Sequence, residues 1–244
     1  MSASPLLAGA LALLAVTALS ACQSTQDRSA QLEEEGSKVL LEADGLKVTE
    51  QNPDVKVLST TVIAEGSEGA VVVEVHNDSP VGMVDVPVSL DVLDAKGRSV
   101  YRNDAPGLEQ ALVAIPYIPA DGAAVWVNDQ ILATGTPVSA RVKVGISPNT
   151  FSGELPEIEV TEPTIEGGSV ASGKVVNLTG EDQRRLLLYA IARRGGEVVA
   201  AGRGAFEHLK PERKPLNYHV YFLGDASGAE VEIVQLPTLS GAEQ

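Results

Sequence analysis

The chain has 244 residues, 44% hydrophobic and 21% charged, with a formal net charge of −15 and a single cysteine. That length accommodates one large or two ordinary domains, and one cysteine excludes an internal disulfide. Between Cys22 and Gly168 stand 9 basic and 24 acidic residues, against 9 and 8 between Ser169 and Ser240, and so acidic a first half excludes nucleic acid and anionic lipid headgroups as its direct partners.

In chain order, a short start through Pro5 precedes an apolar stretch from Leu6 to Val16, and small residues then lead to Cys22. This is the division of a secretory leader. A membrane span would need about 20 apolar residues, whereas this stretch is shorter and broken by Gly9, Thr17 and Ser20. Cys22 closes the tetrad Leu19-Ser20-Ala21-Cys22, and polar Gln23 to Arg28 follow at once, leaving no core to enclose a thiol. The tetrad resembles the lipobox of bacterial lipoproteins. That resemblance implies a diacylglycerol thioether on Cys22, carrying acyl chains such as palmitate, and removal of the signal peptide, residues 1–21. Each buried methylene contributes roughly 0.8 kcal/mol, and two chains make a stable anchor. The mature chain is thereby expected on the extracytoplasmic face of the cell membrane, or on the outer membrane of a cell that has two.

Residues 22–45 read as a polar stalk with a short helix over Asp27–Ala43, thinly apolar at Leu32, Val39 and Leu40. Beyond Gly45 the period changes to two. From Met83 to Asp94, Val84, Val86, Val88, Leu90 and Val92 alternate with Asp85, Pro87, Ser89 and Asp91, which predicts a strand with one buried face. Pro87 marks an edge or a missing ladder bond. Further strands are predicted over 70–75, 123–132, 139–144, 186–192, 218–223 and 229–234, separated by turn clusters such as Asn77-Asp78-Ser79-Pro80 and Arg194-Gly195-Gly196.

The two halves repeat each other. Asn77 matches Asn177, and Val86, Val88, Leu90 and Val92 match Leu186, Leu188, Ala190 and Ala192. The hairpin glycine Gly97 matches Gly196, Trp126 matches Tyr218, and Ala140, Val142 and Val144 match Ala229, Val231 and Ile233. The unit has the size of an immunoglobulin-like sandwich. The predicted fold is therefore all-β, with two tandem sandwich domains at 46–150 and 165–240, a linker at 151–164 and a tail at 241–244. Gly173-Lys174-Val175-Val176-Asn177, the turn Leu209-Lys210-Pro211 and the aromatic strand Tyr218-His219-Val220-Tyr221-Phe222 resemble the FxLYD-type immunoglobulin-like domains of bacterial envelope lipoproteins. The resemblance implies a non-enzymatic domain.

Little in the chain points to catalysis. His76, His208 and His219 are far apart, no Gly-x-Ser-x-Gly elbow occurs, and each histidine reads as a surface or structural residue. Zinc lacks closely spaced His or Cys ligands, calcium lacks an Asp-x-Asp-x-Asp-Gly loop, and Asp85, Asp91 and Asp94 read as solvated carboxylates. Gly202-Arg203-Gly204 and Gly195-Gly196 precede no helix and read as a bulge and turns rather than a phosphate loop. Asn77 and Asn177 begin glycosylation sequons, but strand-end asparagine explains both. Trp126 reads as core. The cluster Arg184, Arg185, Arg193, Arg194, Arg203, Arg213 and Lys214 reads as solvated strand ends, or as a patch meeting an acidic protein, a wall polymer or the first domain. The expectation is a lipid-anchored binding, adhesion or scaffolding module of the envelope, with no catalytic residue, cofactor or metal, whose partners are the membrane through Cys22 and an envelope protein or the wall. The alternative is an envelope enzyme or a calcium- or ligand-binding protein with its site in loops between the domains.

Overall fold

A computed structural model describes Gly45, residues 47–237 and Leu239. The leader, Cys22, the stalk helix and the 241–244 tail lie outside the described residues. The described residues form one compact unit, and the unit is all-β. The first half contains β1 (Val55–Glu65), β2 (Glu68–Asn77), β3 (Gly82–Leu93), β4 (Ser99–Arg102), a single-turn helix α1 (Gln110–Val113), β5 (Ala114–Ile118), β6 (Gly122–Leu132), β7 (Ser139–Val144) and β8 (Asn149–Phe151). The second contains β9 (Ile158–Val160), β10 (Thr164–Glu166), β11 (Val170–Asn177), β12 (Gln183–Arg194), β13 (Glu197–Leu209), β14 (Leu216–Tyr221), β15 (Leu223–Gly224) and β16 (Glu230–Leu236). Each half is a pair of antiparallel sheets. β2 lies between β1 and β6, while β3 pairs with β4, β5, β7 and β8. In the second half β11 pairs with β9, β10 and β14, and the β12–β13 hairpin carries β16 and β15 at its flanks. β9 falls inside the 151–164 stretch read as a linker and pairs with Val175–Asn177.

β3 behaves as its alternation requires. Val86, Val88, Leu90 and Val92 are buried, and Pro87, Ser89 and Asp91 between them are partly exposed. Pro87 sits where β3 passes from its pairing with β8 (Gly82 to Val84) to its pairing with β7 (Val88 to Leu93), so the missing N–H falls in the gap.

Two strands break the alternation, and they explain how the halves meet. Ala70–Val73 in β2 and Leu188–Ala192 in β12 are buried on both faces, the condition under which a strand reads as a continuous apolar run. One face of each serves its own half. Trp126, paired with Val73, donates from its indole N–H to Ala111 O at 2.8 Å, and Leu186, Leu188 and Ala190 join Ala171, Val175 and Val220 in the second core. The other face joins the halves: Tyr189, Ile191 and Ala201 share one cluster with Val72 and Val127. Four sheets therefore stack in the order β3, β2, β12, β11.

The ladders place the repeat in register. Val73 pairs with Trp126, and Gly173 pairs with Tyr218. Gly173 has a steric reason, since a Cβ there would press into the Tyr218 ring, whose hydroxyl donates to Thr161 O at 3.1 Å. A bulge follows both Val92 and Ala192. Among the described residues, the non-glycine positions with left-handed backbone are Asp85, Asp121, Arg185 and Arg213, two pairs separated by the same intervals that relate Val73 to Gly173 and Trp126 to Tyr218. One sequence alignment shifts. Leu90 faces Val142 while Ala190 faces Ile233, so Val142 corresponds to Ile233 and Ala140 to Val231. The slip is two residues, which leaves every side chain on the same face.

Because the β2 sheet docks on the copy of the β3 sheet, the contact is front to back. Several positions equivalent to its apolar residues are polar on the outer sheets. Val72, Val125 and Val127 become Ser172, Asn217 and His219, while Tyr189 and Ile191 become Ser89 and Asp91.

Candidate functional site

The contact between the halves is apolar at its centre and clamped by ion pairs. Arg193 reaches Glu74, whose other oxygen accepts from Ser59 Oγ at 2.6 Å. Arg203, only 6% exposed, lies 3.1 Å from Glu109 and 3.5 Å from Asp129, and its backbone N–H donates to Asp129 Oδ2 at 2.8 Å. Gly224 N–H donates to Glu65 Oε1 at 2.9 Å. The two bridging carboxylates feel opposite environments. The Ser59 hydroxyl, helped by Arg193, holds Glu74 below its ordinary value against a burial cost, whereas burial raises Asp129 above its own despite Arg203. Tyr189, paired with Arg203, is fully buried, and that burial pushes its hydroxyl up.

Past this clamp the contact opens into a cleft of about 290 Å³. Cross-strand pairing sets Leu187 beside Ala205 and Leu236 as its second-half wall. Val84, Pro116 and the start of α1 line it from the first half. Glu109 belongs to both the cleft and the clamp. Asp85 and Arg185 also stand in the cleft. They are the two copies of one kink, with φ of 53° and 58°, and the β3–β5 and β12–β13 ladders each skip them. A left-handed backbone costs a non-glycine residue about 1–2 kcal/mol. In the sequence Asp85 reads as a solvated carboxylate and Arg185 as a solvated strand end; the fold brings them to one place.

Asn77 and Asn177 are both 0% exposed and make the same bonds. Asn77 Nδ2 donates to Val81 O and Pro119 O at 2.8 and 3.0 Å; Asn177 Nδ2 donates to Glu181 O and Leu209 O at 2.8 and 2.7 Å. Each Oδ1 accepts the N–H two residues on, at 2.9 Å. These side chains hold a loop against a strand end, and both amide hydrogens are engaged. Trp126 is fully buried. His76 lies 3.4 Å from Asp78 and His208 lies 3.1 Å from Asp182, while His219 is exposed on the outer sheet. Asp91 meets Arg102 and Arg141, and Asp94 meets Arg98. Gly202 and Gly204 form no bulge. They lie within β13 where β14 crosses closely, and a Cβ at Gly202 would collide with Tyr221 O. Arg193 and Arg203, from the basic cluster, meet the first half rather than solvent.

Among the described residues no group of three or more His, Cys, Asp or Glu could hold a metal ion, and no helix is long and apolar enough to cross a membrane. No protein-family model matches the chain, and no curated protein is detectably similar to it in sequence.

Proposed function

We propose that the protein is a non-catalytic, membrane-anchored lipoprotein of the bacterial envelope: a signal peptide, a lipid on Cys22, a short stalk, and two immunoglobulin-like, FxLYD-like modules that bind, adhere or scaffold outside the cytoplasm. The observation that carries this reading is the tetrad Leu19-Ser20-Ala21-Cys22 at the end of an apolar leader. The stacked body supports it. Two halves joined through a shared core present their outer surfaces at a fixed angle, and a partner that meets a preorganised surface loses less entropy on binding. The partner class is an envelope protein or the wall polymer.

The test is radiolabelled palmitate feeding with cell fractionation. The wild type is expected to take up label and sediment with membranes, and Cys22→Ala to lose the label and leave the membrane fraction. A Cys22→Ala protein that still partitions with membranes refutes the anchor. A second reading, a small-ligand-binding protein whose site lies between the modules, is favoured by one observation: the mixed polar and apolar cleft between the halves.

A further inference from the structure

The clamp and the cleft are lined differently. In the clamp each cation sits on a carboxylate. In the cleft, whose Arg184 pairs with Asp182, Asp85, Arg185 and Glu207 make no ion pair with one another or with another side chain among the described residues. Asp85 and Arg185 share the space yet stay beyond ion-pair distance, and an apolar wall of Leu187, Leu236 and Pro116 adjoins them. Opposite charges held apart beside an apolar surface match a molecule that carries its own opposite charges at two ends with an aliphatic group between them. The kinked backbone at both positions fixes where the two side chains leave their strands, and strain of this kind persists only where the surrounding structure imposes it. At about 290 Å³ the cleft lies just under the lower end of the range of small-ligand sites, the size for a very small ligand.

We infer that the cleft binds a short zwitterionic peptide, its ammonium group toward Asp85, its carboxylate on Arg185, and an aliphatic side chain against Leu187, Leu236 and Pro116. Arginine suits the carboxylate end because its planar fork meets two oxygens at once. The inference deepens the binding-module reading and is independent of the anchor, since it concerns residues remote in sequence from Cys22.

The probe is the dipeptide Ala-Leu, with N-acetyl-Ala-Leu and Ala-Leu amide as charge-deleted controls, titrated into the full-length protein and followed by ligand-observed NMR and calorimetry. Saturable binding of Ala-Leu is expected, with each control weaker by about tenfold, near 1.4 kcal/mol. Two variants keep the kink. Arg185→Gly suits the left-handed backbone and is expected to erase the preference for the free carboxylate. Asp85→Asn retains a residue that tolerates that conformation and is expected to erase most of the preference for the free ammonium. A thermal midpoint at or above that of the wild type in both variants shows that the fold is intact. The inference is overturned by lack of saturable binding at millimolar dipeptide, by controls that bind as well as Ala-Leu, or by an Arg185→Gly protein that binds and discriminates like the wild type. Loss of the palmitate label in Cys22→Ala leaves these outcomes untouched, so the two readings fail separately.

Discussion

Asn77 and Asn177 each replace a piece of secondary structure with one amide. Truncating Asn177 to alanine strands two buried carbonyls and one backbone N–H, so Asn177→Ala is expected to cost about 2–3 kcal/mol in urea unfolding, and Asn77→Ala a similar amount. The left-handed turn residues act in the opposite sense. Asp121 and Arg213 carry φ of 45° and 53°, and glycine accepts that conformation without a Cβ penalty. Asp121→Gly and Arg213→Gly are each expected to raise stability by about 0.5–1 kcal/mol, the relief outweighing the added freedom of the unfolded chain. Titration separates the two interface carboxylates by sign. Glu74 is lowered from 4.5 in the folded chain, so its contribution is complete above the unfolded value and is lost as pH falls through the folded one. The deficit of Glu74→Gln relative to wild type is therefore expected to shrink as the pH of the denaturation series is lowered from neutral into that window. Asp129 is raised from 3.8, so its ionisation burdens the folded state, and acidification through the raised value relieves that burden.

At the scale of strands, β12 decides whether the halves hold together. Ile191 is buried in the shared cluster, and Ile191→Ala is expected to cost about 2–5 kcal/mol by leaving a cavity between sheets. Removing only one member of the buried clamp is expected to be comparably severe. Arg203→Met leaves Asp129 without its cation, at about 3–5 kcal/mol, and pairing it with Asp129→Leu is expected to restore most of the loss. Much of the strand plan was legible. The alternation from Met83 to Asp94 reads directly as a one-faced strand, and the match of Val86–Val92 with Leu186–Ala192 follows from spacing alone. The signal for the stacking was also present: Pro87, Ser89 and Asp91 alternate with valine and leucine, whereas Leu186 to Ala192 is apolar without a break. A run that long needs two buried faces, and one isolated sandwich supplies only one. The two-residue slip at Val142 and Ile233 was not legible, because a period of two looks the same before and after such a slip. The cleft was equally hidden, since Asp85 and Arg185 are ordinary surface types whose meeting depends on how one copy docks on the other.

The body formed by the described residues is one compact unit, and its unfolding is expected to follow. Trp126, the sole tryptophan, reports the first half by fluorescence, while circular dichroism reports both halves, and the two urea transitions are expected to coincide in the wild type. Placing a charge in the shared core, as in Ile191→Asp, is expected to pull those curves apart. Front-to-back docking has one further consequence. A head-to-tail joint is not self-complementary, so in geometry it leaves one face of each kind open to a further copy at either end. Ser172, Asn217 and His219 at one end, and Ser89 and Asp91 at the other, put polar groups where the internal joint has apolar ones, which disfavours a further copy. Rebuilding both ends with the valines, tyrosine and isoleucine of the internal joint would turn a self-limiting pair into a polymerising filament, visible as a sedimentation coefficient that climbs with concentration.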